Sequence, residues 1–368
     1  MRIIYITTES YVNSPIIKSQ VAVLIENLSV KGYDFHLITF EPITKNLIIN
    51  KQYTHHQLRY VSHFFNMIYL IYYVLILANK GDIIHVRSYP PMFAGIFAKL
   101  IKKNKLIFDP RGLWPEEYDY KKNRSIISLL FKKFEFYFCR YSDKIVLVSN
   151  PFLKLFELRY SKFSSKMEVI PTFSIASESS NEVINLRKSH FRDEDILLIV
   201  YSGSLAEYQL IDDVLRYFKI ISKSIKNSRF LFLSKSKIAF EVYLKSKLDP
   251  NRYVVIDSDY VDIINYLSQC DYGIIFRDQD LLNKVSSPIK VKDYLMSGLK
   301  IIATENIGDT SKLINENNCG FILENLSNEK MIDSIKHINK HAEFIFKNLD
   351  ELSLNHIANA YDEIYKKI

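Results

Sequence analysis

The chain has 368 residues, of which 48% are hydrophobic and 24% charged, and it carries a net charge of +8. That length favours two domains over one, with ample apolar residues for two cores. Cys139, Cys270 and Cys319 lie scattered without C-x-x-C spacing, which argues against a disulfide scaffold or a zinc site and fits a reducing, cytoplasmic compartment.

Met1 leads straight into Arg2-Ile-Ile-Tyr-Ile, a strand and not a signal peptide. Apolar periodicity then predicts strands at Ile3–Thr7, Asp34–Thr39, Ile83–Arg87, Lys105–Phe108, Lys144–Val148 and Met167–Ile170. Helices fit between them at Ile16–Val30, Phe64–Asn79, Met92–Lys102 and Ile126–Tyr141. Ser174 to Glu194 has little periodicity and reads as the connection between domains. The alternation restarts with strands at Ile196–Ser202, Arg229–Leu233, Tyr253–Ile256, Tyr272–Phe276, Leu299–Ala303 and Gly320–Ile322. Helices at Ile211–Lys226, Ala239–Lys247, Val261–Gln269 and Ile289–Ser297 separate these. Strand–helix alternation throughout predicts an α/β protein with parallel sheets. His55 and His56 read as a solvated pair before a variable loop. Phe64–Ala78 carries no charge but is short of the ~20 apolar residues a spanning helix needs. It reads as a buried helix of the first domain, with a helix lying on a membrane surface as the alternative.

Charge is uneven. Lys99 to Arg140 holds eleven basic residues against five acidic ones, a local net charge of +6. Such a patch suits nucleic acid, an anionic membrane surface or a phosphorylated substrate, or is simply a solvated face. No recognised nucleic-acid motif accompanies it, so no nucleic-acid partner is expected.

The segment Ser286-Ser-Pro-Ile-Lys-Val-Lys-Asp-Tyr-Leu-Met-Ser-Gly-Leu-Lys-Ile-Ile-Ala-Thr304 is the most informative in the chain. Pro288 ends a loop, a short helix follows, and Gly298 stops it before a buried strand. Lys290 and Asp293 are three apart and share a helix face near its N-terminus. A lysine there can neutralise a diphosphate, together with the terminal N–H groups. A carboxylate one turn on can accept from ribose hydroxyls. The same spacing also suits a solvated Lys–Asp pair.

This segment resembles the donor-binding segment of retaining family-4 glycosyltransferases of GT-B fold: Pro-x-Lys-x-x-Asp-Tyr-Leu-x-x-Gly, then an apolar strand ending in Ala-Thr. The resemblance implies two Rossmann-like parallel-sheet domains facing a cleft. The first, residues 1–173, would bind the acceptor, with a C-terminal helix at 352–368 packing back on it. The second, residues 195–345, would bind the nucleotide-sugar. In the family, the last acid of an E-x7-E motif binds the donor ribose, and Asp293 falls there. Val285 falls where the first Glu would be, which leaves that role unassigned.

Tyr201-Ser-Gly-Ser-Leu opens the second half. A strand ending at Gly203 before a helix is a usual place for phosphate oxygens. The resembled enzymes often carry an Arg after this glycine and a Lys-Gly six to seven residues on; Ser204, Gln209 and Leu210 stand here instead. The positive charge must come from elsewhere. Lys290 is the first candidate, with Lys284 and Arg277 behind it. Donor binding is thus assigned to Gly203, Ser204, Lys284, Pro288, Lys290 and Asp293.

His85-Val-Arg-Ser-Tyr-Pro-Pro and Phe108-Asp-Pro-Arg-Gly-Leu-Trp-Pro-Glu-Glu follow strands of the first half. Open α/β sheets place ligands beyond the carboxyl ends of strands. Arg87, Ser88, Trp114 and Glu117 are assigned to acceptor binding, and Asp109 and Arg111 join Lys290 as catalytic candidates. A structural Asp109–Arg111 ion pair with Trp114 in the core is the alternative. Asp257-Ser-Asp259 matches D-x-D, a metal motif of other transferases, but its place between strand and helix suits a helix cap better. No metal site and no cofactor are expected.

The resemblance implies a cytoplasmic enzyme that moves a sugar from a nucleoside diphosphate-sugar to a lipid-linked saccharide acceptor, with retention, in surface polysaccharide assembly. Peripheral contact with the inner face of the membrane is expected through the basic segment and the interleaved Phe131, Phe134, Phe136, Tyr137 and Phe138. The alternatives are a nucleotide-sugar 2-epimerase of the same fold and a non-catalytic partner subunit.

Overall fold

A computed structural model describes residues 1–42, 52–122, 125–175, 185–257, 260–339 and 349–368. The chain divides into two compact units, Met1–Pro171 with Asn355–Ile368, and Thr172–Leu354. Each is built on one parallel sheet covered by helices, the GT-B architecture.

The first unit holds β1 (Arg2–Ile6), β2 (Asp34–Glu41), β3 (Thr54–Arg59), β4 (Ile83–Arg87), β5 (Lys105–Asp109), β6 (Lys144–Leu147) and β7 (Met167–Val169). They lie in the order β3-β2-β1-β4-β5-β6-β7. Its helices are α1 (Val23–Ser29), α2 (His63–Leu77), α3 (Met92–Lys102), α4 (Trp114–Lys122), α5 (Ser125–Tyr141) and α6 (Asn150–Tyr160). Central strands such as β4 are buried along their whole length. That is why they read as unbroken apolar runs and not as alternating ones. Gly95 of α3 lets that helix approach the sheet: a Cβ there would lie 2.6 Å from the Leu106 side chain and 2.9 Å from that of Val86.

The sequence reading passed over β3. His55 is buried, and its Nε2 lies 2.9 Å from Thr39 Oγ1. His56 bridges His36 Nδ1 and the Tyr73 hydroxyl, at 2.8 Å each. The pair is therefore part of the sheet and not solvated. Two further expectations change. Among α2 residues only Asn66, Leu70 and Val74 are buried; Phe64, Phe65, Ile68, Tyr69, Tyr72 and Ile76 are exposed. On α5 the aromatic residues mostly pack inward. Phe138 is buried, Phe131 stacks on Trp114 at 4.2 Å, and Phe134 and Phe136 meet Phe93 and Phe163. Of the five aromatics expected at a membrane, only Tyr137 is exposed.

The second unit holds β8 (Leu197–Ser202), β9 (Ser228–Leu233), β10 (Tyr253–Ile256), β11 (Tyr272–Ile275), β12 (Lys300–Thr304) and β13 (Gly320–Leu323), in the order β10-β9-β8-β11-β12-β13. Its helices are α7 (Ile211–Ser224), α8 (Lys237–Leu244), α9 (Tyr260–Leu267), α10 (Leu281–Lys284), α11 (Ile289–Met296), α12 (Thr310–Asn317) and α13 (Asn328–Ser334). Helix α7 buries Ile211, Val214, Leu215, Phe218 and Ile221, the three-and-four spacing of one helix face. The segment read as a connection contributes to this unit: Ser174 bridges Ser353, and Leu186 is buried in the core. Its middle, 176–184, lies outside the described residues.

The last helix, α14 (Leu354–Lys367), returns to the first unit. Tyr361 Oη accepts from Arg111 at 2.7 Å, and the Tyr365 hydroxyl lies 2.7 Å from His85 Nδ1. The Tyr33 hydroxyl donates to Asp362 at 2.5 Å.

Candidate functional site

In each sheet the winding direction reverses between the first strand and its neighbour: between β8 and β11 in the second unit, and between β1 and β4 in the first. Ligands of open parallel sheets sit beyond the carboxyl ends of the strands at such a switch point.

In the second unit, Gly203 follows β8 and Arg277 lies just past β11. Helix α11 begins after Pro288 and ends before Gly298, whose φ is +80°. This places Lys290 in the helix's first turn. Lys290 Nζ donates to Gln209 Oε1 at 2.8 Å and lies 5.0 Å from the centre of the Tyr201 ring. A Cβ on Gly203 would come within 2.9 Å of that ammonium and 3.0 Å of the Tyr201 hydroxyl. A side chain there would have to push the Lys290 ammonium aside. The Tyr201 hydroxyl donates to Ser204 O at 2.8 Å and shapes the turn. Burial and the nearby Arg277 guanidinium hold Lys290 well below the ordinary lysine pKa, against the pull of Asp293. Arg277 is itself buried, with its guanidinium 4.7 Å from the Tyr208 ring centre. Two neighbouring cations at a glycine turn make an electropositive site suited to a diphosphate.

Gln209 and Leu210 stand where the resembled enzymes carry Lys-Gly. Leu210 keeps the glycine-like backbone, with φ of +48°. Gln209 has exchanged a charge for an acceptor that holds Lys290. Asp293, one turn after Lys290, is buried, and its Oδ1 accepts from Ser174 Oγ at 2.6 Å. Val285, in the place of the first acid, is buried. Lys292 is also buried and donates to Ser287 Oγ at 2.8 Å; burial brings its pKa down to about 8. Thr172 Oγ1 donates to Ser287 O at 2.7 Å. The 286–288 loop is therefore gripped from both sides. Lys284 is exposed at the end of α10. Asp257 lies 3.7 Å from Lys235, while Ser258 and Asp259 are outside the described residues.

In the first unit, Arg87 and Asp109 end β4 and β5, and Arg111 follows just beyond. Arg111 Nε lies 2.8 and 2.9 Å from the two Asp109 oxygens. Burial alone would raise the Asp109 pKa, but Arg111, His85 and Arg87 outweigh it and hold the group below the usual carboxylate range. Ser88, with φ of +76°, donates its N–H to Asp109 O at 2.7 Å. Trp114 is half-buried under Phe131, and Glu117 lies against Gly112. Glu116 accepts from Arg159 at 2.7 Å.

Residues 18–173 match the family model described as Glycosyltransferase Family 4. Most of the first unit is thus similar to that family. The sequence matches none of the curated proteins. Solved structures similar to the whole chain include sucrose-phosphate synthase from Thermosynechococcus elongatus, at 13% identity and TM-score 0.76 over 100% of this chain and 98% of that one. HepE of Anabaena, in complex with UDP and glucose, follows at 12% and 0.70 over 100% of both chains. A glycosyltransferase from Rickettsia africae gives 17% and 0.70 over 100% and 98%. At these identities the likeness shows the GT-B fold.

Sequence reasoning ranked Arg277 behind Lys290 and did not find Gln209, Tyr201 or Ser174 as partners of the site. The signal for Gln209 was present, as the residue standing in place of a lysine.

Proposed function

We propose that this chain is a glycosyltransferase that binds a nucleoside diphosphate-sugar on its second unit and passes the sugar, with retention, to an acceptor held by its first unit. One observation carries the reading: Lys290 lies against the Gly203 turn at the sheet's switch point, with the Arg277 guanidinium near enough to lower its pKa. Gly203, Ser204 and Lys290 hold the diphosphate, Pro288 sets the start of α11, and Asp293 meets the ribose. Fixed positive charge stabilises the leaving diphosphate, the largest electrostatic demand of the reaction. The leaving phosphate takes the acceptor proton, so no enzymic nucleophile is required and no divalent metal is invoked. Asp109 orients Arg111, and Arg87, Ser88, Trp114 and Glu117 line the acceptor half. HepE, with the same fold, was solved with UDP and glucose, which supports a UDP-sugar as the first donor to try.

The acceptor is a lipid-linked saccharide of surface polysaccharide assembly, met at the inner face of the membrane. Support for membrane contact comes from α2 and α3. Phe64, Phe65, Ile68, Tyr72 and Ile76 are exposed along one face of α2, and Phe97, Leu100 and Ile101 on α3. Exposed Lys103 and Lys105 follow directly. Apolar groups beside lysines suit an anionic interface, at about 1 kcal/mol per lysine near the surface. Among the described residues no helix is long and apolar enough to cross a membrane.

Thermal shift with UDP-, GDP- and dTDP-sugars tests the donor, followed by NMR of the product anomer and turnover in EDTA. No stabilisation by any of these sugars would refute the reading. Inversion of the anomer, or activity that returns only with manganese, would refute the mechanism.

A further inference from the structure

Tyr5 of β1 and His85 of β4 are register partners, with ring centres 4.3 Å apart. Arg87 lies two residues beyond His85, opposite Asp109. These residues thus flank the switch point of the first sheet, the counterpart of the Gly203–Arg277 position in the second. Arg87 is only 5% exposed, yet its Nε and Nη1 are buried without a hydrogen-bond partner. The Tyr5 hydroxyl beside it is buried and likewise makes no bond of acceptable geometry. Asp109 does not satisfy Arg87: its Oδ2 accepts from Arg111 Nε at 2.9 Å, and its Oδ1, 2.8 Å from the same nitrogen, makes no hydrogen bond of its own. His85 adds no compensating negative charge; burial lowers its pKa and its Nδ1 is engaged by Tyr365. One carboxylate therefore serves two guanidinium groups, and the cluster keeps one positive charge in excess. Buried guanidinium N–H groups without acceptors are costly and are retained where something is bound.

We propose that Arg87 and Tyr5 form an anion subsite in the first unit that takes a phosphate group carried by the acceptor. The inference rests on the reading of this unit as the acceptor half. A phosphate supplies the missing charge and several acceptor oxygens, which the planar guanidinium and the phenol O–H match as donors. Ser88, immediately after Arg87, takes the left-handed backbone and is tied to Asp109 O. That turn fixes Arg87 at the end of the sheet. The phosphate belongs either to a lipid diphosphate or to a soluble sugar phosphate.

Inorganic pyrophosphate is the probe, titrated by thermal shift into protein already saturated with UDP. A saturable rise in melting temperature is expected for the parent, no rise for Arg87→Gln, and about tenfold weaker binding for Arg87→Lys, which keeps the charge but loses the fork. If Arg87→Gln does not fold, Arg87→Lys carries the test. Geranyl diphosphate and glucose 6-phosphate then compete: displacement by the first assigns a lipid diphosphate, by the second a sugar phosphate, and displacement by neither overturns the proposal. It is also overturned if UDP-loaded parent shows no pyrophosphate response, or if both variants respond like the parent. The UDP response without pyrophosphate, compared between parent and Lys290→Ala, reports on the donor reading alone.

Discussion

Replacing Lys290 by alanine removes an ammonium that donates to Gln209 at 2.8 Å and that lies against the Gly203 turn, 2.9 Å from where a Cβ would stand. A hydrogen bond to a charged group is worth roughly 1.5–3 kcal/mol. At about 1.4 kcal/mol per decade, UDP should bind about 10- to 150-fold more weakly. Turnover should fall further, by about 10²–10³, because charge grows on the leaving diphosphate during the reaction. Lys290→Met adds a second readout. The parent lysine has its pKa lowered by burial and by Arg277, so its charged form is disfavoured on folding. That penalty is full below the lowered pKa and fades as pH rises toward the ordinary lysine value. The methionine variant should therefore melt higher than the parent without ligand at neutral pH, while losing UDP affinity. Calorimetry in buffers of different ionisation enthalpy gives both affinity and proton uptake, and UDP binding to the parent should take up protons at pH values between the lowered and the ordinary lysine pKa. UDP affinity within twofold of the parent in both variants would refute the assignment of Lys290 to the diphosphate.

Gly203→Ala should displace Lys290 and weaken UDP binding with little change in melting temperature; an unchanged dissociation constant would show that the close approach does not matter. Asp293→Ala should weaken donor binding by about 1.5–3 kcal/mol, and the loss should be smaller for donor analogues lacking the ribose hydroxyls. Lys292→Met should be more stable than the parent at pH 7, and the gap should narrow as pH rises from about 8 toward 10.5, the folded and ordinary values of that lysine; chemical denaturation at several pH values measures it. Phe64→Glu with Ile68→Glu should abolish flotation with anionic vesicles at low salt. Parent protein that fails to float would remove the membrane claim, and flotation that survives 1 M salt would mean insertion.

Much of this architecture was legible in the chain because parallel strands buried on both faces leave unbroken apolar runs. Among the described residues, twelve of the thirteen strands coincide with such runs to within about two residues, and helix α11 was bracketed by Pro288 and Gly298. β3 was missed because Thr-His-His-Gln-Leu-Arg carries no apolar run; its histidines are satisfied by neighbours far along the chain. Helix α2 was misjudged because absence of charge was taken for burial, whereas its face of aromatic and aliphatic groups points outward. The pairing of Lys290 with Gln209 joins residues far apart in sequence, so no spacing rule reaches it. The orphaned Arg87 could not be read at all, since an unsatisfied donor is a property of three-dimensional surroundings.

Helix α14 fixes an order of events during synthesis. The first unit begins to emerge from the ribosome first, but its sheet keeps Arg111 and His85 without their tyrosine partners until residues 355–368 arrive. The second unit, complete by Leu354, has all its strands beforehand. The first unit can therefore complete its core only once the residues of the second have been translated.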